Sequence, residues 1–312
     1  MSVDLTKPQK EWIETTRAGR IRHSDLIKSR PWSTVFRLEC EIGVVFFKRC
    51  GSGCEHEAKL LKWLEPKYSD YLPELLDIDM DNAWILIRDA GQPIGYLENR
   101  NKILHMVQSL LPNYAALQIG SLAQTDELLS YGIPDRRLSL APGLLGNMLE
   151  KPFIELSNET RLVMAKKLEL FEDTCLELAN SSFSSALDHG DLHVWNVLAK
   201  DEKSVIIDWG DATITHPFTG IYQTLSLLFD DRFCFENPEL RNLIACYLEP
   251  WTSFEPFSEL WRQLKLALSI APIMQSIHLT NILELSGETD SEWLSFIKKS
   301  LRTSLVSQDK TL

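Results

Sequence analysis

The chain has 312 residues, 44% hydrophobic and 24% charged, with a formal net charge of -12. That composition is ordinary for a folded globular protein and argues against wholesale disorder. The acidity counts against a nucleic-acid partner, which needs clustered Lys and Arg. It suits a cationic small molecule, although surface acidity for solubility is the commoner reason for such a balance. Six cysteines are scattered along the chain and only Cys50 and Cys54 are close, without a second pair or a His cluster to complete a zinc site. They read as reduced thiols, and with no signal-like apolar segment at the N-terminus a cytoplasmic location is expected. No uninterrupted run of about eighteen apolar residues appears, so no membrane span is expected.

In chain order, a β-hairpin is predicted over 34–50, with Val35, Phe36 and Leu38 in one strand, a turn at Glu41-Ile42-Gly43, and Val44 to Phe47 in the next. Gly51, Ser52 and Gly53 end it, and a helix runs to about Leu64, followed by a loop marked by Pro66 and Pro73. Leu75–Asp79 and Trp84–Ile87 read as two further strands joined at Asp81-Asn82. After Arg88-Asp89-Ala90-Gly91 the spacing of apolar residues turns helical, over 101–119, 158–180, 239–248, 257–285 and 291–305. One short hairpin, 197–199 and 205–207 around a turn at Lys200 to Lys203, interrupts the helical part. The domain boundary is expected near Asp89 to Pro93, giving residues 1–90 and 91–312.

The most informative segment is His189-Gly190-Asp191-Leu192-His193-Val194-Trp195-Asn196, then the hairpin, then Ile206-Ile207-Asp208-Trp209-Gly210. An Asp on a tight loop after a glycine can take a proton from a hydroxyl. An Asn five positions on can offer its amide oxygen to a divalent cation, and a strand–turn–strand can return Asp208 to its side. Hard oxygen ligands of this kind suit Mg²⁺, and phosphoryl transfer runs on positioning plus neutralisation of phosphate charge. A single Asp in a turn is usually there for local hydrogen bonding. Three polar residues at this spacing, with a hairpin between them, are much more specific.

The segment resembles the motif of the aminoglycoside phosphotransferases and their choline, fructosamine and homoserine kinase relatives, H-G-D-x-H-x-x-N followed by I-D-[FWY]. The likeness extends weakly through Gly210-Asp211-Ala212 and His216-Pro217-Phe218. It implies an α+β, bilobal protein-kinase-like fold: a small N-terminal β-sheet lobe with one helix, for the nucleotide, and a larger, mainly helical C-terminal lobe for catalysis and substrate. It further implies MgATP (or MgGTP) as cofactor and a small-molecule hydroxyl as acceptor. By it Asp191 corresponds to the catalytic base, Asn196 and Asp208 to metal ligands, and His189 and His193 to loop-supporting positions.

Such a scaffold calls for a strand Lys on the phosphates and a helix Glu paired with it. Lys48 ends the strand Val44–Phe47. Glu57 shares an inward stripe with Leu61 and Leu64, whereas Glu55 falls with Lys59 and Lys62 on a polar face. Glu57 is therefore the candidate partner, against the plainer reading of a snorkelling lysine and a flanking carboxylate. The segment Ser29-Arg30-Pro31-Trp32-Ser33-Thr34 lacks the glycines of a phosphate loop; Ser33 and Thr34 are the candidates for phosphate contact there. Adenine is expected against the backbone of Ile87 to Asp89. Asp188 stands where the family places an apolar residue, and it either bonds locally or faces the acceptor. Gln118 matches a family helix end and can equally be structural. Two other classes compete: a catalytically silent nucleotide-binding protein on the same fold, and a metal-dependent hydrolase using His189, Asp191, His193 and Asp208.

Overall fold

The computed structural model describes residues 4–154, 156–183, 185–200, 203–230, 233–287 and 291–303. In chain order its elements begin with α1 (Lys7–Thr15), β1 (His23–Arg30), β2 (Ser33–Cys40), β3 (Gly43–Cys50), α2 (His56–Tyr68), β4 (Leu75–Asp79), β5 (Trp84–Arg88), β6 (Gln92–Pro93) and α3 (Arg100–Ser121). There follow α4 (Thr125–Ser130), α5 (Ala141–Leu149), α6 (Asn158–Ala179), β7 (Ala186–Asp188), β8 (Val197–Lys200), β9 (Lys203–Ile206), β10 (Thr213–Thr215), α7 (Pro217–Phe229), α8 (Pro238–Leu248), α9 (Phe257–Ser286) and α10 (Ser291–Thr303). By packing they form two units, Met1–Ile103 with His193–Asp211, and Leu104–Leu192 with Ala212–Leu312. The division thus differs from a single crossing near Asp89–Pro93. The hairpin β8–β9 joins the first unit because β6 pairs with it, Gln92 opposite Ala199 and Pro93 opposite Leu198.

The first unit is built on an antiparallel sheet in the order β1-β2-β3-β5-β4. Strand side chains alternate between faces, and here the two faces have different jobs. Phe36, Leu38, Val45, Phe47 and Leu86 point to one side, where they form a core with Leu5, Ile13 and Ala18 of the N-terminal segment. Val35, Phe46, Lys48, Ile85 and Ile87 point to the other and line a cavity. The helix α2 supplies Glu57 and Leu61 to that second face. Pro66, read from sequence as part of a loop, lies inside α2. It falls in the last turn, where the bond lost with its missing N–H is followed by only two more residues of helix.

The second unit is mainly helical, with a two-stranded antiparallel pair of β7 and β10 that sets Asp188 opposite Thr213. The long α9 packs against α5, α6, α7 and α10. Phe257–Leu285 is long and apolar enough to cross a membrane by length and composition alone, a test that a buried core helix also passes. More than half of that stretch is buried within the fold. Phe218 meets Trp251 edge-on, ring centroids 5.4 Å apart, a geometry that adds about 0.5–1.5 kcal/mol beyond burial. That cluster anchors the start of α7, one turn from the segment that follows β10.

Candidate active site

In the second unit the strand β7 delivers the loop His189-Gly190-Asp191, and side chains hold its backbone at nearly every step. The Leu187 N–H donates to Ser121 Oγ at 2.8 Å, the His189 N–H to Tyr114 Oη at 2.9 Å, and the Gly190 N–H to Asp188 Oδ1 at 2.7 Å. The Asp191 N–H donates to His189 Nδ1 at 3.3 Å, and Gln223 Nε2 of α7 donates to Asp191 Oδ1 at 3.3 Å. Gly190 has φ +78°, a conformation that glycine adopts without strain. The loop's backbone is therefore fixed by α3 and its carboxylate by α7. Gln118 lies in this layer as well: its Nε2 donates to Asp188 Oδ2 at 3.2 Å, and its Oε1 accepts from Tyr247 Oη at 2.6 Å.

Asp188 is thus locally bonded and also borders a small cavity with Arg136, Thr215 and Gln275. It is 2% exposed, and burial, eased by the Gly190 N–H, Tyr114 and Arg136, raises its pKa to about 6. A carboxyl whose folded pKa lies above its unfolded value binds the extra proton in the native state. The stability tied to Asp188 is then fully present below about pH 4, is lost as pH rises through about 6, and is constant above. We expect the stability of wild type minus that of Asp188→Asn, followed by thermal unfolding, to fall across that window; a gap independent of pH would contradict it. Gly220 is required beside this residue, since a Cβ there would lie 1.6 Å from Asp188 Oδ2.

In the first unit the hairpin β8–β9 closes with the Ile207 N–H donating to the Asn196 C=O at 3.0 Å, after Val197 pairs with Ile206. Asn196 is 8% exposed. That register sets Asn196 across from Ile207, one residue before Asp208. Asp208 has φ +64°, which Asp tolerates better than most residues. Strain of this kind collects at functional sites.

Lys48, projecting from β3, binds both Glu57 and Asp208, with Nζ 2.6 Å from Glu57 Oε2. Glu57 is 2% exposed; its Oε1 accepts the Trp209 N–H at 3.1 Å and its Oε2 lies 3.4 Å from Cys50 Sγ. One carboxylate therefore fixes the lysine and the residue after Asp208 together. Burial alone would lower the Lys48 pKa, but Asp208 and Glu57 outweigh it and hold the ammonium charged. Lys48 in turn keeps Asp208 below the ordinary carboxylate range. Glu55, by contrast, is exposed and accepts the Gly53 N–H at 2.8 Å.

These three residues stand on the wall of a cavity of about 400 Å³, whose other walls are chiefly apolar: Val35, Phe46, Ile85, Ile87, Leu198 and Ile206 among them. That size suits a cofactor-sized ligand. Ser33 and Thr34 lie elsewhere, buried in β2 opposite Cys50 and Arg49, with Thr34 Oγ1 accepting from Arg49 Nη2. Ile87 lines the cavity, whereas Asp89 spends its N–H on the Val44 C=O and its carboxylate on the Gly91 N–H. Ala90, Gly91, Gln92 and Pro93 line the cavity beyond it. Gln223 and Tyr114 escaped the sequence reading. Gln223 has no motif around it; Tyr114 was visible only as a neighbour of Gln118.

Among the described residues no three His, Cys, Asp or Glu side chains group to hold a metal ion. His189 and His193 instead accept backbone N–H groups at Nδ1, from Asp191 and Trp195.

Solved structures share this architecture. Macrolide 2'-phosphotransferase MphH from Brachybacterium faecium matches with a TM-score of 0.60 at 17% identity, over 90% of this chain and 92% of that one. A choline/ethanolamine kinase family protein from Mesorhizobium loti matches at 0.63 and 13%, over 92% and 89%. The GDP and kanamycin complex of APH(2")-IIia matches at 0.62 and 17%, over 93% and 95%. At such identities they show the protein-kinase-like fold alone. A search of curated proteins finds no match. Residues 33–257 match the phosphotransferase enzyme family (APH). That span covers most of the chain and includes the loop, the hairpin, Lys48 and Glu57, so the chain belongs to the phosphotransferase enzyme family.

Proposed function

We propose that this phosphotransferase transfers the γ-phosphoryl group of ATP or GTP, with Mg²⁺, to a hydroxyl of a small molecule. The observation that carries the reading is Lys48, held charged by buried Glu57 and Asp208 on the wall of a nucleotide-sized, largely apolar cavity. Relatives of the same fold solved with GDP and with ADP support a nucleotide there.

The chain's own donors fit a hard divalent cation: an amide oxygen from Asn196 and a carboxylate from Asp208, which Lys48 keeps ionised. Bound there, Mg²⁺ would neutralise charge on the phosphates during transfer. Lys48 binds the phosphates from the strand side, and Glu57 keeps its ammonium aimed. Apolar walls receive the base and exclude water. Asp191 orients the acceptor hydroxyl and takes its proton, one carboxylate oxygen being fixed by Gln223. Asn196 follows it five positions along the chain. The net charge of -12 favours a cationic acceptor, and six free cysteines favour a cytoplasmic site.

The test is ADP release from MgATP against a panel of amine-bearing and neutral alcohols. We expect acceptor-dependent release, abolished by EDTA and restored by added Mg²⁺. Failure of the wild-type protein to bind ATP with or without Mg²⁺ would refute the reading.

A further inference from the structure

In kinase-like folds a turn over the phosphates usually offers backbone N–H groups from glycines. Here the turn between β1 and β2 is Pro31-Trp32, flanked by Ser29, Arg30, Ser33 and Thr34. It contains no glycine, and Pro31 has no N–H to give. The turn is also pinned: the Gly51 N–H donates to the Trp32 C=O at 2.7 Å, and a Cβ on Gly51 would lie 2.1 Å from the Pro31 oxygen. With Ser33 and Thr34 buried in β2, charge for the outer phosphates must come from a side chain.

The strand β1 supplies one. Its register against β2 slips between Leu26, opposite Phe36, and Lys28, opposite Val35, leaving Ile27 as the extra residue of a bulge. Residues directly opposite share a face, so Lys28 lies on the cavity side with Val35, and both Ile27 and Lys28 line the cavity. Without the bulge, adjacent residues would point to opposite faces. The lining cations are Lys28, Lys48 and Arg88. Arg88 is spent on Glu74, at 2.6 Å, and on the Ile42 C=O; Lys48 is spent on Glu57 and Asp208. Lys28 is exposed, and after Lys48 its charge also helps to lower the Asp208 pKa.

We propose that Lys28 binds the β- and γ-phosphates of the nucleoside triphosphate, a side-chain charge standing in for the backbone donors of a glycine turn. The bulge at Ile27 is what aims it. This rests on the nucleotide-binding reading above.

The test is calorimetric binding of ATP and of adenosine, with Mg²⁺, to wild type, Lys28→Gln and Lys28→Arg. Loss of a charge-assisted contact predicts ATP binding about tenfold weaker in Lys28→Gln. Adenosine affinity stays unchanged, and Lys28→Arg recovers most of the ATP affinity. Equal ATP affinity in wild type and Lys28→Gln would overturn the proposal, as would an equal loss of adenosine binding, which would implicate the strand rather than the charge. A wild type that binds neither ligand would instead refute the nucleotide reading beneath it.

Discussion

Asp208→Asn should lower turnover by about a hundredfold to a thousandfold, the usual cost of removing one preorganised electrostatic group, while the protein stays folded. Asn is the informative replacement because it tolerates the φ of +64° at this position. It also keeps the shape and leaves Lys48 its second partner, Glu57. The lost charge should show as a higher Mg²⁺ concentration for half-maximal rate. Asp191→Asn tests the other half of the chemistry: a fall in kcat of about 10²–10⁴ from loss of the general base, with the Mg²⁺ requirement unchanged. Steady-state kinetics with Mg²⁺ and acceptor varied separately would distinguish them. Two variants with wild-type kcat would refute the assignment, and a shared Mg²⁺ shift would refute the division of labour.

Much of this site could be read in the chain, and the physical reasons are uneven. The His189–Asn196 and Ile206–Gly210 segments were recognisable because short-range spacing and a hairpin are local properties. Lys48 followed from its place at the end of a strand, where the scaffold calls for a lysine, and Glu57 from a helical stripe that turns it inward. β1 was missed because its residues, His-Ser-Asp-Leu-Ile-Lys-Ser-Arg, are nearly all exposed on the sheet's edge and show no apolar alternation. With β1 unread, Ser29 to Thr34 looked like a loop before the first strand, whereas Ser33 and Thr34 lie in β2. α7 was missed as well: it is buried over much of its length, and only Thr219, Gln223 and Ser226 mark a polar stripe at helical spacing. The loop's support was illegible in principle, because Tyr114 and Gln118 precede Asp188 by 74 and 70 residues. No local pattern reports such contacts.

Lys48→Met separates the structural work of the buried pair from its chemistry. The substitution keeps bulk but leaves Glu57, 2% exposed, facing only the Trp209 N–H and Cys50. Breaking one partner out of a buried pair costs about 3–5 kcal/mol, read as a large drop in Tm. Burial already pushes the Glu57 pKa up against the pull of Lys48, and without the ammonium it rises further. In the variant the native state then takes up a proton that the unfolded state lacks, so its stability improves as pH falls. The Tm gap to wild type should therefore narrow from pH 8 towards pH 5. Lys48→Met/Glu57→Gln removes both charges and should regain most of the lost stability while staying inactive, since the strand lysine that binds the phosphates is gone. If the double variant is no more stable than the single one at pH 8, the lost stability lies in packing, and the pair is not what joins β3 to α2. If the double variant keeps wild-type turnover, Lys48 has no part in phosphate binding.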